Sequence, residues 1–319
     1  MTKIIKAAIV QAAPVPLAIS EGIKRLEMLA KEAIDQGAGL VAFGETFLGG
    51  YPLWLDEAPG AALWDHPGAK ALHGIMMENA VRENDPRFEP LQELVDKSGT
   101  LISVGAHERH RNSLYNNQIL FRPEQAPLPH RKLVPTHGER LIWNRGDGST
   151  LGVHNQDDAI VGSLICWEHW MPLARAAMHN RQENIHIAAW PTVRETYSIA
   201  SRHYAFEGRS YVLAAGTVQH RDDLLKGLEL AGGNADGRAL IMSMNEGQLQ
   251  FGGSQIIAPD GEILAEASAQ SETVFADIDL SACSRELASL DTDGHYARPD
   301  VFELRVDTSA KDGVIWQGD

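Results

Sequence analysis

The chain has 319 residues, 44% of them hydrophobic and 22% charged, with a formal net charge of −15. That length buries a core without staples, and the acidic balance argues against a nucleic-acid-binding surface and against anionic lipid. No apolar run reaches the length of a membrane-spanning helix. The two cysteines, Cys166 and Cys283, are too few for a disulfide framework, so a reducing, cytoplasmic setting is expected.

Residues 4–12 (IIKAAIVQA) read as a buried first strand rather than a signal peptide, because Gln11, Pro14 and Pro16 interrupt the apolar run. Residues 20–36 carry Ile23, Leu26, Ala30, Ala33 and Ile34 at helical spacing, and residues 39–45 form a second apolar strand ending at Glu45. Strand, helix, strand predicts parallel neighbours. Residues 49–68 are rich in Gly, Pro and Trp and read as a long loop walling a pocket. Helical patterns follow over 69–84 and 87–98. Strands over 100–109 and 114–122, close in sequence, predict an antiparallel hairpin in a mixed sheet.

An apolar run from Ala159 to Ile165 then delivers Cys166 to its end, and a helix is predicted over 172–183. Alternation continues with a strand over 185–191, a helix over 195–209 and a strand over 211–218. Residues 219–237 mix charge with glycine and read as a mobile loop. Residues 254–267 are a hairpin with a Pro-Asp-Gly turn. The polar tail from about 281 is expected to reach a partner subunit or to fray. No repeat or linker interrupts the chain, so one domain is expected over 1–319, with a core over about 5–280 and a tail over about 281–319.

Three residues stand out chemically. A cysteine in an apolar run is most often an inert core thiol, but Cys166 ends its run and Trp167, Glu168 and His169 follow at once. A strand end leading into a helix N-terminus is expected to lower the thiol pKa. Glu45 also ends an apolar run. Taken alone it reads equally as an exposed carboxylate or as a partly desolvated base. Lys132, after Arg131, is ordinarily a solvated surface charge; it matters only if the fold brings it to Cys166, where Glu139 could hold it. The sequence shows no zinc-type Cys/His cluster and no phosphate-binding glycine loop.

Three stretches, VAFGETFLGGYP, HRKLVPTHGERLIWNRGDGS and GSLICWEHWMPLARAAMHN, together resemble the nitrilase branch of the carbon–nitrogen hydrolase superfamily. Cys-Trp-Glu-His followed by Met-Pro-Leu is the most specific part, since amidase and carbamoylase branches usually carry Tyr or another residue after the Cys, then Asp. The resemblance covers about residues 5–280. It implies an α/β fold, a four-layer α-β-β-α sandwich, doubled to eight layers in a dimer. It also implies a Glu–Lys–Cys triad at Glu45, Lys132 and Cys166, supported by Glu139, with no metal or organic cofactor. Family members assemble as homodimers or larger homo-oligomers, including spirals. Gly44 departs from the family's usual Pro and is expected to alter the aim of Glu45.

The implied activity is hydrolysis of a small organic nitrile to carboxylic acid and ammonia through a thioimidate and a thioester on Cys166. Cyanide hydratase or dihydratase, or amidase, is the alternative; a catalytically silent scaffold subunit is a more distant one. Tyr51, Trp54, His137, Trp167 and Trp190 are candidate pocket residues, with ordinary core packing as the competing reading for Trp54 and Trp190. His137 and His169 read as hydrogen-bonding supports rather than bases. Residues 203–208 and the tail are candidate subunit contacts.

Overall fold

The computed structural model describes residues 4–311 and 313. Two six-stranded sheets face each other. The first is built from β1 (Ile4–Gln11), β2 (Leu40–Ala42), β3 (Leu101–His110), β4 (Ser113–Arg122) and β5 (Gln125–Arg131), in that order. The second starts at its edge with β6 (Val153–Gln156), β7 (Ala159–Ile165), β8 (Ile185–Ala189) and β9 (Tyr211–Ala215). After a two-stranded ribbon of β10 (Val218–His220) and β11 (Gln248–Phe251), β12 (Gln255–Ile257) and β13 (Ile263–Glu266) complete the second sheet. Finally β14 (Glu272–Asp279) returns to pair antiparallel with β1.

The expected parallel pairing of β1 with β2 and the antiparallel β3–β4 hairpin are both observed. Strands β7, β8 and β9 are likewise parallel. Helices α1 (Ile19–Asp35), α2 (Trp54–Glu57), α3 (Pro67–Asn79) and α4 (Glu89–Ser98) precede the first hairpin. α5 (Pro172–His179), α6 (Glu195–Gly208), α7 (Arg221–Leu230), α8 (Ala235–Met242) and α9 (Ser281–Glu286) follow Cys166.

Strand alternation builds the layers. On β1, Ala7 and Ile9 pack toward Val161, Ile187 and Leu213 of the other sheet, while Ala8 and Val10 pack toward Leu26 and Ala30 of α1 and Leu91 of α4. On β9, Leu213 and Ala215 enter the inter-sheet core, whereas Val212 and Ala214 meet Ala200 and Tyr204 of α6. Strands buried on both faces therefore read as continuous apolar runs. The order helix, sheet, sheet, helix is the expected four-layer sandwich.

Several expectations need correction. The supposed mobile loop over 219–237 is largely α7 and the start of α8, whose Leu224, Leu228, Leu240 and Ile241 are buried with Trp54 and Leu72 in a lateral cluster. Their charges occupy the outer faces, and Asp223 and Asn234 accept from backbone N–H groups at the helix starts. The strand over 39–45 is short: β2 stops at Ala42, and the chain turns through Thr46, at φ 51°. Strand β5 carries Pro127 and Pro129, which a central strand does not tolerate; it is an edge strand, where a missing N–H is accommodated. The tail folds back on its own chain, with Thr292 Oγ1 donating to Glu207 O and the Lys311 N–H donating to Asp147.

Leu213 is fully buried between the sheets and Leu230 is 60% exposed on α7. Leu213→Ala is expected to lower unfolding free energy by about 2–5 kcal/mol, and Leu230→Ala by no more than about 0.5 kcal/mol. Denaturant titration of both variants checks this.

Candidate active site

The two sheets bring three chain segments to one buried point. Glu45 follows β2. Its backbone N–H donates to the Trp190 carbonyl at 3.1 Å, tying the first sheet to the end of β8. Lys132 follows β5, and its N–H donates to the Asn116 carbonyl of β4 at 2.8 Å. Cys166 follows β7 and starts a 3₁₀ turn, Cys166–Trp170. The side chains of Glu45, Lys132, Glu139 and Cys166 are all buried.

The Lys132 ammonium sits between two carboxylates. Nζ donates to Glu45 Oε1 at 2.9 Å and to Glu139 Oε1 and Oε2 at 3.0 and 2.8 Å. Asn116 Nδ2 also donates to Glu45 Oε1, at 2.6 Å. Glu139 accepts further from the Tyr51 hydroxyl at 2.8 Å and the Thr136 N–H at 2.7 Å. Glu45 Oε2 has no hydrogen-bond partner among the described residues. Cys166 Sγ and one oxygen of each carboxylate lie within 4.8 Å of one another. Such a set could hold a cation, and the Lys132 ammonium, bonded to both carboxylates, is already that cation.

The electrostatics follow from burial and one shared positive charge. Burial raises the Glu45 carboxyl, Lys132 opposes it and Glu139 adds to it, leaving it at about 7. Burial would lower Lys132, but the Cys166, Glu45 and Glu139 groups hold it well above its ordinary value. The electrostatics run against the expected low thiol pKa. Burial lifts Cys166 well above the usual thiol range, with Glu45 and Glu139 adding to it against Lys132 and the Trp167 N–H. Only a short 3₁₀ turn follows Cys166 directly, and α5 starts later, at Pro172. The resting site holds a neutral thiol beside a carboxylate that titrates near neutrality.

Gly44 is required by crowding. A Cβ there would stand 2.9 Å from Gly216 C and 3.0 Å from Trp190 O. The backbone of the second sheet, rather than a proline ring, thus fixes the approach to Glu45.

Among the candidate pocket residues, Tyr51 touches the cluster through Glu139 and packs edge-on to Trp143. Trp167 is half exposed and meets Trp170 edge-to-face. His137 is exposed, in the turn leading to Glu139. Trp54 and Trp190 are packed in apolar clusters, Trp190 stacking on Tyr197 and on His169. A cleft of about 1110 Å³ lies elsewhere, against Arg131, Tyr115 and Lys311, and its lining includes neither Glu45 nor Cys166.

Two buried groups escaped the sequence reading. Asn116 sits in a polar pair, Asn116-Asn117, with nothing local to show that one side chain turns inward to Glu45. Glu168 is the other. Its oxygens accept from Leu133 N at 2.7 Å, Ile165 N at 2.6 Å and His130 Nε2 at 2.8 Å. It therefore staples the Cys166 turn to the segment carrying Lys132. Burial would raise its carboxyl, but His130 and the two N–H groups hold it below the usual range.

The architecture belongs to the class of nitrilase-like α-β-β-α sandwiches. Superposition on a carbon–nitrogen hydrolase from Helicobacter pylori gives a TM-score of 0.67, covering 93% of this chain and 97% of that one at 17% identity. The carbon-nitrogen hydrolase family model matches residues 6–285. An aliphatic nitrilase of Sinorhizobium fredii is 35% identical, covering 99% of both chains. An arylacetonitrilase of Aspergillus kawachii is 31% identical, covering 98% of this chain and 94% of its own. The chain belongs to the carbon–nitrogen hydrolase family, in its nitrilase branch, and is a hydrolase.

Glu168→Gln places an amide N–H against donors that now face a carboxylate. Loss of a buried charged partner costs about 3–5 kcal/mol, so a marked fall in thermal midpoint is expected. An unchanged midpoint would show that the staple is dispensable.

Proposed function

We propose that this protein is a nitrilase, hydrolysing an organic nitrile to the carboxylic acid and ammonia with Glu45, Lys132 and Cys166 as its catalytic groups. The observation that carries the reading is a buried Glu45 carboxylate with one oxygen unpartnered and the other bonded to Lys132, within 4.8 Å of the Cys166 sulfur.

Glu45 takes the thiol proton as sulfur attacks the nitrile carbon, and the proton passes to nitrogen, forming a thioimidate. Lys132 and the Trp167 N–H stabilise charge on that nitrogen, and later on oxygen. Water adds to the carbon, ammonia leaves with a proton relayed through Glu45, and a thioester remains. A second water, deprotonated by Glu45, releases the acid and restores the thiol. Glu139 holds Lys132 charged throughout. Tyr51 and Trp167 are the candidate substrate contacts for an arylaceto- or aliphatic nitrile. The relatives' names support both classes.

The same reading makes the chain a single-domain, cytoplasmic homo-oligomer, a dimer or larger. Support comes from Leu173, Ile199 and Phe206, exposed apolar side chains on α5 and α6. No helix among the described residues is long and apolar enough to cross a membrane.

The test is ammonia release from phenylacetonitrile, mandelonitrile, a short aliphatic nitrile, cyanide and phenylacetamide. Ammonia from nitriles, lost in Cys166→Ala, is the expected result; ammonia only from the amide would make the protein an amidase, and formamide or formate from cyanide a cyanide hydratase or dihydratase. Glu45→Gln should lower kcat about 10²–10⁴-fold. Because the base must be ionised, kcat/KM should fall as pH drops through about 7. The fall should be about tenfold per unit; a profile flat to pH 5 would remove Glu45 from the base role.

A further inference from the structure

Behind Cys166 lies a buried polar chain that the proposed chemistry does not use. His169 Nδ1 lies 2.7 Å from the Cys166 carbonyl oxygen, and His169 Nε2 lies 3.0 Å from His186 Nε2. His186 Nδ1 lies 2.9 Å from Glu183 Oε2, and the Tyr204 hydroxyl donates to Glu183 Oε1. His169, His186 and Glu183 are all buried. The space is shaped for them: a Cβ on Gly162 would collide with Glu183 Oε2. Tyr204 stacks on the His186 ring with centroids 3.9 Å apart, and Trp190 stacks on His169 at 4.8 Å.

Donor counting fixes the protons. A carbonyl oxygen only accepts, so His169 carries its proton on Nδ1. Its Nε2 is then an acceptor and needs a donor from His186 Nε2. His186 Nδ1 faces a carboxylate oxygen, so that contact also needs a proton. The chain is complete only with one extra proton held between His186 and Glu183. Burial would raise the Glu183 carboxyl, but His186 reverses this and holds it below its usual range. Burial and His186 together push His169 well below the usual imidazole range.

Cys166 is a non-glycine residue at φ 53°. That left-handed backbone is disfavoured for a residue with a Cβ, and it is what aims the sulfur out of the strand direction toward Glu45. Buried side chains hold the backbone around Cys166: Glu168 accepts from the Ile165 N–H, one peptide before the Cys166 linkage, and His169 donates to the Cys166 carbonyl.

We propose that His169, His186 and Glu183 are positioning residues for the Cys166 thiol: the proton shared by His186 and Glu183 locks His169 as its Nδ1–H tautomer, whose bond to the Cys166 carbonyl holds the left-handed turn. The proposal rests on the reading of Cys166 as nucleophile. Glu183→Gln is its conservative variant, since the amide can donate to His186 Nδ1 while its oxygen accepts from Tyr204. It restores the same His169 tautomer with His186 neutral. Glu183→Leu and His169→Phe cannot.

The test is ¹H–¹⁵N long-range correlation of the full chain labelled at histidine, together with kinetics and iodoacetamide labelling of Cys166. Wild type is expected to show His169 protonated at Nδ1 only, with His186 Nε2 carrying the proton between the two rings. Glu183→Gln should keep wild-type kcat with His186 neutral. Glu183→Leu and His169→Phe should lower kcat, and slow Cys166 labelling, by about 10- to 100-fold at unchanged KM. His169 protonated at Nε2 in wild type, or a folded His169→Phe variant with wild-type kcat, overturns the proposal. If the apolar variants do not fold, the wild-type spectrum and Glu183→Gln decide. If wild-type Cys166 neither labels nor turns over nitriles, the nucleophile reading fails, while the spectra still report the tautomers.

Discussion

The Lys132 ammonium, buried between the Glu45 and Glu139 carboxylates, is the interaction on which the rest depends. A dehydrated ammonium is costly unless its donors are all paired, and here three carboxylate oxygens take them. One positive charge is nevertheless shared by two carboxylates and a thiol. The surplus of acidic groups, with burial, leaves Glu45 near 7 and Cys166 neutral. Glu139, with the Tyr51 and Thr136 donors added to Lys132, holds the ammonium in place.

This cluster could not be assembled by either sheet alone. Glu45 and Lys132 come from the first sheet and Cys166 from the second, so the sheet-to-sheet core of Ile9, Leu40, Val161 and Leu213 sets the distance between them. Glu168 then joins the Cys166 turn to Leu133, next to Lys132. Gly44 lets the backbone after β2 lie against Gly216 and Trp190. Apolar area supplies the bulk of the attraction between the layers, and a few buried charged hydrogen bonds set the register of the loops to within a side chain's reach.

The aromatic residues divide by the layer they belong to. Trp54 and Trp190 are packed inside, and Trp190 braces His169 from one face. Trp167 and Trp170, in the turn after Cys166, keep much of their surface exposed. Large rings contribute equally well to a core or to a pocket, and only their neighbours distinguish the two.

Local pattern alone determined a good deal: the alternation of apolar runs with helical periodicity, the parallel β1–β2 pairing, the β3–β4 hairpin and the position of Cys166 where its strand stops. These are read from periods of 2 and 3.6 residues and from turn residues, which act within a few positions of the chain. Juxtaposition of Glu45, Lys132, Glu139 and Cys166 was legible only through the resemblance, because an isolated glutamate or lysine carries no mark of burial. Tertiary structure decided the rest. It made helices of 221–242 by giving Leu224 and Leu240 a core to enter, and an edge strand of the proline-bearing 125–131. It turned Asn116 inward, and it raised the thiol that the local strand-to-helix pattern predicts to be acidic. Each of these depends on desolvation or on partners far along the chain, as from Asn116 to Glu45, 71 residues away, and neither is encoded in the immediate neighbourhood of the residue concerned.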